Sequence, residues 1–330
     1  MRISKKLLVT FVTCALAATT SFSTLAATTL KLSHNQDRNH PVHQSMQYMA
    51  DKVKEYTHDQ VRIRIYPNGQ LGTQRESMEL LQNGALAMVK SNASELEAFE
   101  PAYGAFNIPY IFRDRDHYYR AMEGDVGEKI LAASHQKGFV GLTYYDAGAR
   151  SFYANKEIKT PADLKGMKIR VQPSPTAVEM IKMMGGSPTP LSYGELYTAL
   201  QQGVVDGAEN NETALTTARH GEVAKFFSKD EHTMIPDVLV ISSKVWDGLK
   251  EEERQAIKKA AKESMEFHKK LWTEMTAKSI EEAQSTMKVK FIDVEKQPFV
   301  DAVKPMHEAA LKNPAIADYV RGIDDLANTK

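Results

Sequence analysis

Cysteine is almost absent from this 330-residue sequence, and the single one, Cys14, lies in an N-terminal segment that differs in composition from the rest. Once that segment is removed, the chain has no disulfide, no thiolate nucleophile and no cysteine ligand for zinc. A lipid anchor on Cys14 is the alternative, but Phe11-Val12-Thr13 before it lacks the leucine and small residues usual at such a site.

An excess of charge is also missing. The 42 Lys+Arg residues equal the 42 Asp+Glu residues, which argues against a nucleic-acid-binding protein. A hydrophobic content of 42% and a charged content of 25% exclude disordered and fibrous classes. At roughly 150 residues per domain, the length predicts about two domains.

No apolar run is long enough to cross a bilayer. The longest, Leu7 to Ala18, has 12 residues against the ~20 required. Three basic residues precede it and small residues follow, an order typical of a secretory signal peptide, here 1–26. Its removal leaves 39 basic and 42 acidic residues, a net charge of −3. We therefore expect a periplasmic protein with no direct membrane insertion.

Strand and helix patterns alternate along the rest of the chain. Strict alternation over 61–65 predicts a half-buried strand, and the spacing of apolar residues predicts helices over 40–54 and 73–83, as in an α/β domain. The same spacing over 251–287 predicts a helix roughly 55 Å long. A coiled-coil dimer is the alternative, but this stripe is rich in Ala and Met, so we favour a brace across two domains.

Known catalytic motifs are missing. Residues 185–188 lack the lysine of a phosphate-binding loop, and no Gly-x-Ser-x-Gly motif occurs. His40 and His43 are spaced to contact a metal, but a zinc site normally needs a third ligand. We predict that the chain is not an enzyme and holds no metal or cofactor.

Two arginines follow or end predicted strands beside small, loop-forming residues. Arg150 and Arg170 could each hold a carboxylate through two parallel hydrogen bonds, and ligands in open α/β sheets bind at strand ends. Surface salt bridges are the alternative. Asn210 and Asn211 follow a glycine turn, where their amides could serve hydroxyl groups or cap the next helix.

Three segments resemble signatures of TRAP-transporter solute-binding proteins of the DctP type. They are SPTPLSYGELYTALQQGVVDGAEN at 187–210, KGMKIRV at 165–171 and YPNGQLG at 66–72. The likeness extends over the whole chain after the signal segment. It implies a two-lobed α/β periplasmic-binding-protein fold with crossing strands at the hinge and a long helix spanning both lobes. We expect one lobe over 27–147 plus 236–275 and the other over 148–235 plus 276–330.

The resemblance also implies roles for individual residues. Arg170 would hold the ligand carboxylate, Arg150 would assist it, and Asn210 would orient the carboxylate or that arginine. The remaining family positions face the ligand or pack beside it, and they are Asn35, Gln74, Asn92 and Tyr193. Gln74 and Asn92 replace carboxylates found in members that bind sialic acid, which argues against that ligand.

Several loops, among them 34–35, 148–153, 172–176 and 209–211, are similar to those of members that bind hexuronates such as D-glucuronate and D-galacturonate. We therefore predict a hexuronate ligand. On grounds of polarity and placement we add a second set of contacts, for which helix capping is an equal alternative: Glu76, Asn211 and Asp237. His34 belongs to the similar 34–35 segment and is included as a further contact.

The expected function is capture of a sugar acid between the lobes and its delivery to the small and large membrane subunits of a TRAP transporter. An aldonate, a keto sugar acid or a C4-dicarboxylate is the alternative ligand. A secreted enzyme that acts on uronates is the alternative of another class.

Overall fold

The computed structural model describes residues 27–327, so the expected signal peptide 1–26 lies outside the described residues. Two sheets form the framework. The first has the order β2-β1-β3-β10-β4 and the second the order β11-β9-β5-β8-β6-β7. The strands are β1 Thr28–Ser33, β2 Val61–Tyr66, β3 Met88–Asn92, β4 Phe139–Tyr145, β5 Arg150–Ala154, β6 Lys168–Val171, β7 Ser187–Pro190, β8 Gly207–Asn210, β9 Phe226–Thr233, β10 Asp237–Ser242 and β11 Lys290–Asp293.

Helices cover both sheets, and several begin with residue types that commonly cap helices. Pro41 opens the first helix after His40, and Thr73 and Glu76 form a reciprocal capping box at the second. The α-helices are α1 Pro41–Tyr56, α2 Gln74–Gln82, α3 Ala93–Leu96, α4 Arg115–Glu123, α5 Asp125–Ala133, α6 Pro175–Met183, α7 Leu196–Gln201, α8 Thr213–Thr217, α9 Ser243–Gly248, α10 Glu251–Ser285, α11 Gln297–Ala310 and α12 Ala317–Leu326. Between the described residues 27 and 327, no helix is both long and apolar enough for a membrane span.

The chain crosses between the sheets twice, and the two crossings run side by side. Residues 146–149 lead from β4 in the first sheet to β5 in the second, and residues 234–236 lead back from β9 to β10. The crossings are bounded by two antiparallel pairs, Tyr145 with Asp237 and Arg150 with Thr233. The crossing strands expected at a hinge are therefore confirmed.

The long helix α10 joins the two halves, as the brace interpretation predicts. Near its start, Ile257 and Ala261 pack into a core with α1 and the first sheet, and near its end Ala283 packs beneath the second sheet. At its middle, His268 contacts the backbone carbonyl of Asp146 at 2.7 Å, within the first crossing. The helix is thus anchored to both sheets and to the crossing between them.

The structure differs from the sequence-based division at the C-terminus. We assigned 276–330 to the second lobe, but Val320 and Ile323 of α12 lie in the core beside the first sheet, and α12 packs on α4 and α5. The apolar stripe of α12 predicts a buried face, but a stripe does not specify which core will bury it.

Candidate functional site

Polar residues at the strand ends meet beside the two crossings. Arg150 begins β5 and Asp237 begins β10, whereas Asn92 ends β3 and Asn210 ends β8. Arg170 lies one residue before the end of β6. These strand ends come from both sheets and lie beside the crossings between them. Their side chains therefore meet in the cleft between the two sheets.

Two adjoining cavities occupy this cleft. The outer one has a volume of about 440 Å³. The inner one has a volume of about 20 Å³, room for roughly one water molecule. Asn35, Gln74 and Tyr193 line both. Eight of the eleven residues predicted from the sequence line the inner cavity: Asn35, Gln74, Asn92, Arg150, Tyr193, Asn210, Asn211 and Asp237.

Arg170 lies beside the inner cavity rather than on its wall, with only 1% of its surface exposed. Its Nε and Nη2 donate to the carbonyl of Leu191 at 3.0 and 2.7 Å, and its guanidinium carbon lies 5.9 Å from the ring centre of Tyr193, which lines both cavities. Its Nη1 is buried with no hydrogen-bond partner, and Arg170 forms no ion pair with any described residue. Burial lowers the pKa of Arg170, but a guanidinium stays charged in proteins.

Arg150, by contrast, is fully paired within the protein. Its Nε and Nη2 donate to the two carboxylate oxygens of Glu209 at 2.5 and 2.9 Å, and its Nη1 donates to Oδ1 of Asn210 at 2.8 Å. The resemblance implies that Arg150 assists Arg170, but the Arg150 guanidinium is directed at Glu209. Oδ1 of Asn210 accepts from Arg150, so the Asn210 side chain helps to orient that arginine.

Glu209 belongs to a longer chain of charges. His232 places Nδ1 2.7 Å from Asp230 and Nε2 3.3 Å from Glu209, and its ring lies against Phe152. Burial alone would lower the pKa of His232, but the two carboxylates outweigh it and raise the pKa to about 9. Burial alone would raise the pKa of Glu209, but Arg150 and His232 lower it to about 2. Two cations therefore balance two carboxylates.

A second charge-balanced group, here a buried ion pair, lies across the cleft. Lys90, 1% exposed, donates from Nζ to Oδ1 of Asp237 at 3.1 Å. The Asp237 carboxylate is therefore committed to an internal cation as well as lining the inner cavity. Glu95, a buried carboxyl on the wall of the outer cavity, has no ion pair with any residue between 27 and 327, and burial raises its pKa. Of the buried Lys and Arg side chains at the cleft, Arg170 alone is left without an ion pair among residues 27–327.

Amides supply the remaining polar atoms of the inner cavity. Oδ1 of Asn35, both amide atoms of Gln74 and Oε1 of Gln172 are buried without a hydrogen-bond partner. Asn92 differs, because its Oδ1 accepts the Glu95 backbone N–H at 3.0 Å and caps α3. Side-chain amides can both donate to and accept from hydroxyl groups, so this wall suits a polyhydroxylated ligand.

Three residues predicted as ligand contacts have structural roles that compete with such contacts. Glu76, exposed on the wall of the outer cavity, accepts from Thr73 in the capping box of α2, and Asn211 accepts the backbone N–H of Thr213 at 3.0 Å. His34 lines neither cavity. Its Nδ1 accepts the Gln36 N–H, so its Nε2 carries the proton and donates to His43 at 2.9 Å. Burial is the main cause, and the Lys90 charge the second, that lowers the pKa of His34 to about 2.

The sequence reasoning missed Gln172 and Glu209. Gln172 follows Arg170 by two positions, and alternation along β6 would place both on one face, which is a usable signal. Glu209 carries no pattern that identifies it as the partner of Arg150. Within residues 27–327, no group of three or more His, Cys, Asp or Glu side chains is placed to hold a metal ion.

Comparison with known proteins places this geometry in context. Residues 32–313 match DctP, described as bacterial extracellular solute-binding protein, family 7. A TRAP periplasmic solute-binding protein from Anaerococcus prevotii with bound α/β D-glucuronate is 38% identical, with a TM-score of 0.88 over 91% of this chain and 98% of that one. One from Bradyrhizobium sp. in complex with α/β-D-galacturonate is 40% identical, with a TM-score of 0.87 over 90% and 99%.

A relative of different specificity also matches. The 2,3-diketo-L-gulonate-binding periplasmic protein YiaO of Escherichia coli is 28% identical over 309 residues, which is 93% of this chain and 94% of the relative.

Proposed function

We propose a hexuronate, D-glucuronate or D-galacturonate, as the ligand of this chain, which belongs to the DctP family, bacterial extracellular solute-binding protein family 7. It is a TRAP solute-binding protein for sugar acids. Solved relatives at 38% and 40% identity contain the two hexuronates, which supports this choice.

The single observation that carries the proposal is the unmatched charge of Arg170. A buried cation without an ion pair, and with its Nη1 amino group unpartnered, is costly unless an anion compensates it. A ligand carboxylate would supply the missing charge and accept from Nη1. Arg150 and Lys90 are already balanced by carboxylates of the protein, so neither would attract a second anion. This favours a ligand with one carboxylate.

The sugar hydroxyls would be bound by the amides that line the inner cavity. Asn35, Gln74 and Gln172 present unpartnered atoms there, and each can exchange hydrogen bonds with a hydroxyl. Because the inner cavity holds only about 20 Å³, we propose that lining side chains, Tyr193 among them, move on binding and bring the ligand against Arg170.

The remaining assignments follow from family membership. We propose that the chain is exported to the periplasm by the segment 1–26 and delivers its ligand to the small and large membrane subunits of a TRAP transporter. We also propose that it acts by binding alone, with no chemical change in the sugar acid. The absence of any product after incubation with galacturonate would be the expected control result.

Thermal unfolding in the presence of a ligand panel tests the proposal. A ligand at ~1,000 times its dissociation constant adds about 4 kcal/mol of stability, which should raise the midpoint by roughly 8 to 16 °C. We expect such shifts with D-glucuronate or D-galacturonate and none with D-glucose or D-galactose, which lack the carboxylate. A shift with the neutral sugars, or none with either hexuronate, would refute the hexuronate assignment.

A keto sugar acid is the competing ligand, because the Escherichia coli relative is named for 2,3-diketo-L-gulonate. Including that compound, succinate and sialic acid in the same panel separates the alternatives. A larger shift with 2,3-diketo-L-gulonate than with either hexuronate would favour the competing ligand while leaving the carboxylate at Arg170 in place.

A further inference from the structure

The carboxylate of Glu97 lies in the half of the molecule that contains the first sheet. It accepts hydrogen bonds at the start of α6, in the half that contains the second sheet. Glu97 directly follows α3, which itself follows β3 of the first sheet. Its two oxygens accept from three donors beyond β6 of the second sheet: the Ser174 hydroxyl, the Thr176 N–H at 3.1 Å and the Thr176 hydroxyl at 2.9 Å. We refer to these three contacts as the Glu97 clasp.

The clasp is prepared on the side of the first sheet. Nδ2 of Asn107 donates to Oε2 of Glu97 at 2.8 Å and also to the carbonyl of Ala93, so the carboxylate is oriented before it meets the other half. A Cβ atom on Gly104 would lie 3.2 Å from the same Oε2, so a larger residue there would crowd the carboxylate. Glu97 is therefore held by its own half as well as by its partners.

On the other side, the clasp ends close to the candidate site. Ser174 caps α6 by accepting the Ala177 N–H at 3.0 Å while its hydroxyl donates to Glu97. The Ser174 N–H donates to the carbonyl of Gln172 at 2.7 Å. A carboxylate also interacts favourably with the positive end of a helix. The contact thus fixes the short segment that begins at Arg170 and carries Gln172.

We infer that Glu97 is a positioning residue for ligand binding, which fastens the Arg170–Thr176 segment to the half of the molecule that carries Asn35, Gln74 and Asn92. Opening of the cleft must break the Glu97 clasp, so the clasp adds to the stability of the arrangement in which both halves of the site meet. Apparent affinity depends on the population of that arrangement. The inference concerns the proposed sugar-acid site, although the clasp itself can be tested without ligand.

The affinity test is titration of the Glu97→Gln variant with D-glucuronate. Loss of hydrogen bonds to a charged group should raise the dissociation constant by up to about tenfold, through faster dissociation, since the ligand enters and leaves while the clasp is open. Glu97 lines neither cavity, so the ranking of sugar acids should not change. The matched control is Glu100→Gln, because the Glu100 carboxylate accepts no hydrogen bond from residues 27–327 other than that of the nearby Ala102 N–H. The affinity of this variant should equal that of the wild type.

A double-mutant cycle excludes a general loss of structure. Among residues 27–327 the Thr176 hydroxyl hydrogen-bonds to Glu97 alone, so Thr176→Val should weaken binding in the wild type and have no effect in a Glu97→Ala background. An unchanged dissociation constant for Glu97→Gln would overturn the inference. An equal effect of Thr176→Val in both backgrounds would do the same.

Amide hydrogen exchange in the ligand-free protein separates this inference from the proposed function. Within the described part of the chain, the Thr176 N–H is bound by Glu97 alone and should exchange faster in Glu97→Ala than in the wild type. The Ala177 N–H, capped by Ser174, provides an internal reference. If no sugar acid binds but the Thr176 amide loses protection, the proposed function fails and the clasp stands. Equal exchange at Thr176 in both proteins would overturn the clasp itself.

Discussion

Replacement of Arg170 should separate affinity from stability in a way that few buried charges allow. Arg170→Met keeps most of the side-chain volume and removes the charge. If Arg170 meets the ligand carboxylate, the variant leaves that carboxylate desolvated and unpaired, which costs about 3 to 5 kcal/mol. At about 1.4 kcal/mol per factor of ten, the dissociation constant should rise between roughly 100-fold and several thousandfold.

The ligand-free protein should respond very differently. Arg170→Met loses two hydrogen bonds to Leu191 but also removes an unpaired buried cation and an unpartnered N–H. These effects oppose each other, so we expect the free energy of unfolding to change by no more than about 1 kcal/mol. Arg150→Met is the contrast: it leaves His232 as the one cation beside the Glu209 and Asp230 carboxylates, and this uncompensated buried negative charge should destabilise the fold by about 3 to 5 kcal/mol.

Calorimetric titration with the hexuronate that gives the larger thermal shift, together with urea unfolding of the ligand-free variants, measures both quantities. Arg170→Lys should lie between the wild type and Arg170→Met in affinity, because it keeps the charge and loses the planar fork. A less than fivefold change in affinity for Arg170→Met would refute the carboxylate assignment. A strong loss of ligand-free stability would show that the Arg170 charge is already compensated within the protein.

Three further predictions concern the surroundings of the site. Gln172→Ala should weaken hexuronate binding about tenfold in the same titration and leave urea unfolding of the ligand-free protein unchanged, since Oε1 has no partner to lose. Gly148→Ala should cost about 1 to 2 kcal/mol in urea unfolding, because φ is +67° and the added Cβ would lie 3.1 Å from Trp272, whereas Gly194→Ala, with open space around it, should not. Burial lowers the pKa of His220 from 6.5 to about 3, so the unfolded chain binds an extra proton below pH 6.5, and stability, complete above that pH, falls as the pH drops toward 3. His220→Gln should flatten that slope by up to about 1.4 kcal/mol per pH unit, and an unchanged slope would contradict the buried neutral imidazole.

The sequence predicts the strand ends of this site better than the contacts made there. Arg150, Arg170 and Asn210 follow from motifs and lie beside one cleft, as expected. The pairing of Arg150 with Glu209 is a different matter, because it depends on antiparallel register: Phe152 of β5 lies opposite Glu209 of β8. Register is set by tertiary packing, and local spacing does not encode it.

Sequence also does not distinguish a ligand contact from a helix cap. Glu76 and Asn211 are polar residues at helix starts, and both use an oxygen to accept a backbone N–H there. Sequence identifies such residues as polar and well placed, but capping and ligand binding call for the same residue types. Asn35 and Gln74 are distinguished by buried atoms without a hydrogen-bond partner: Oδ1 of Asn35 and both amide atoms of Gln74.

The core in which a helix buries its apolar face is also not predictable from local sequence. The apolar stripe of α12 predicts a packed face, but its packing against the first sheet's half depends on the path of the chain after α11. The length of α10 was predictable because one continuous spacing runs through it, from Glu251 to Ser285. Local periodicity thus predicts an element and its buried face, and the partner of that face comes from the folded chain.

A crystal structure of the protein with D-glucuronate or D-galacturonate is the most direct test of carboxylate binding by Arg170. We expect one carboxylate oxygen within about 3 Å of Nη1 of Arg170, with sugar hydroxyls on the amides of Asn35, Gln74 and Gln172. A hexuronate bound with its carboxylate away from Arg170, or with a hydroxyl group at Nη1, would contradict it.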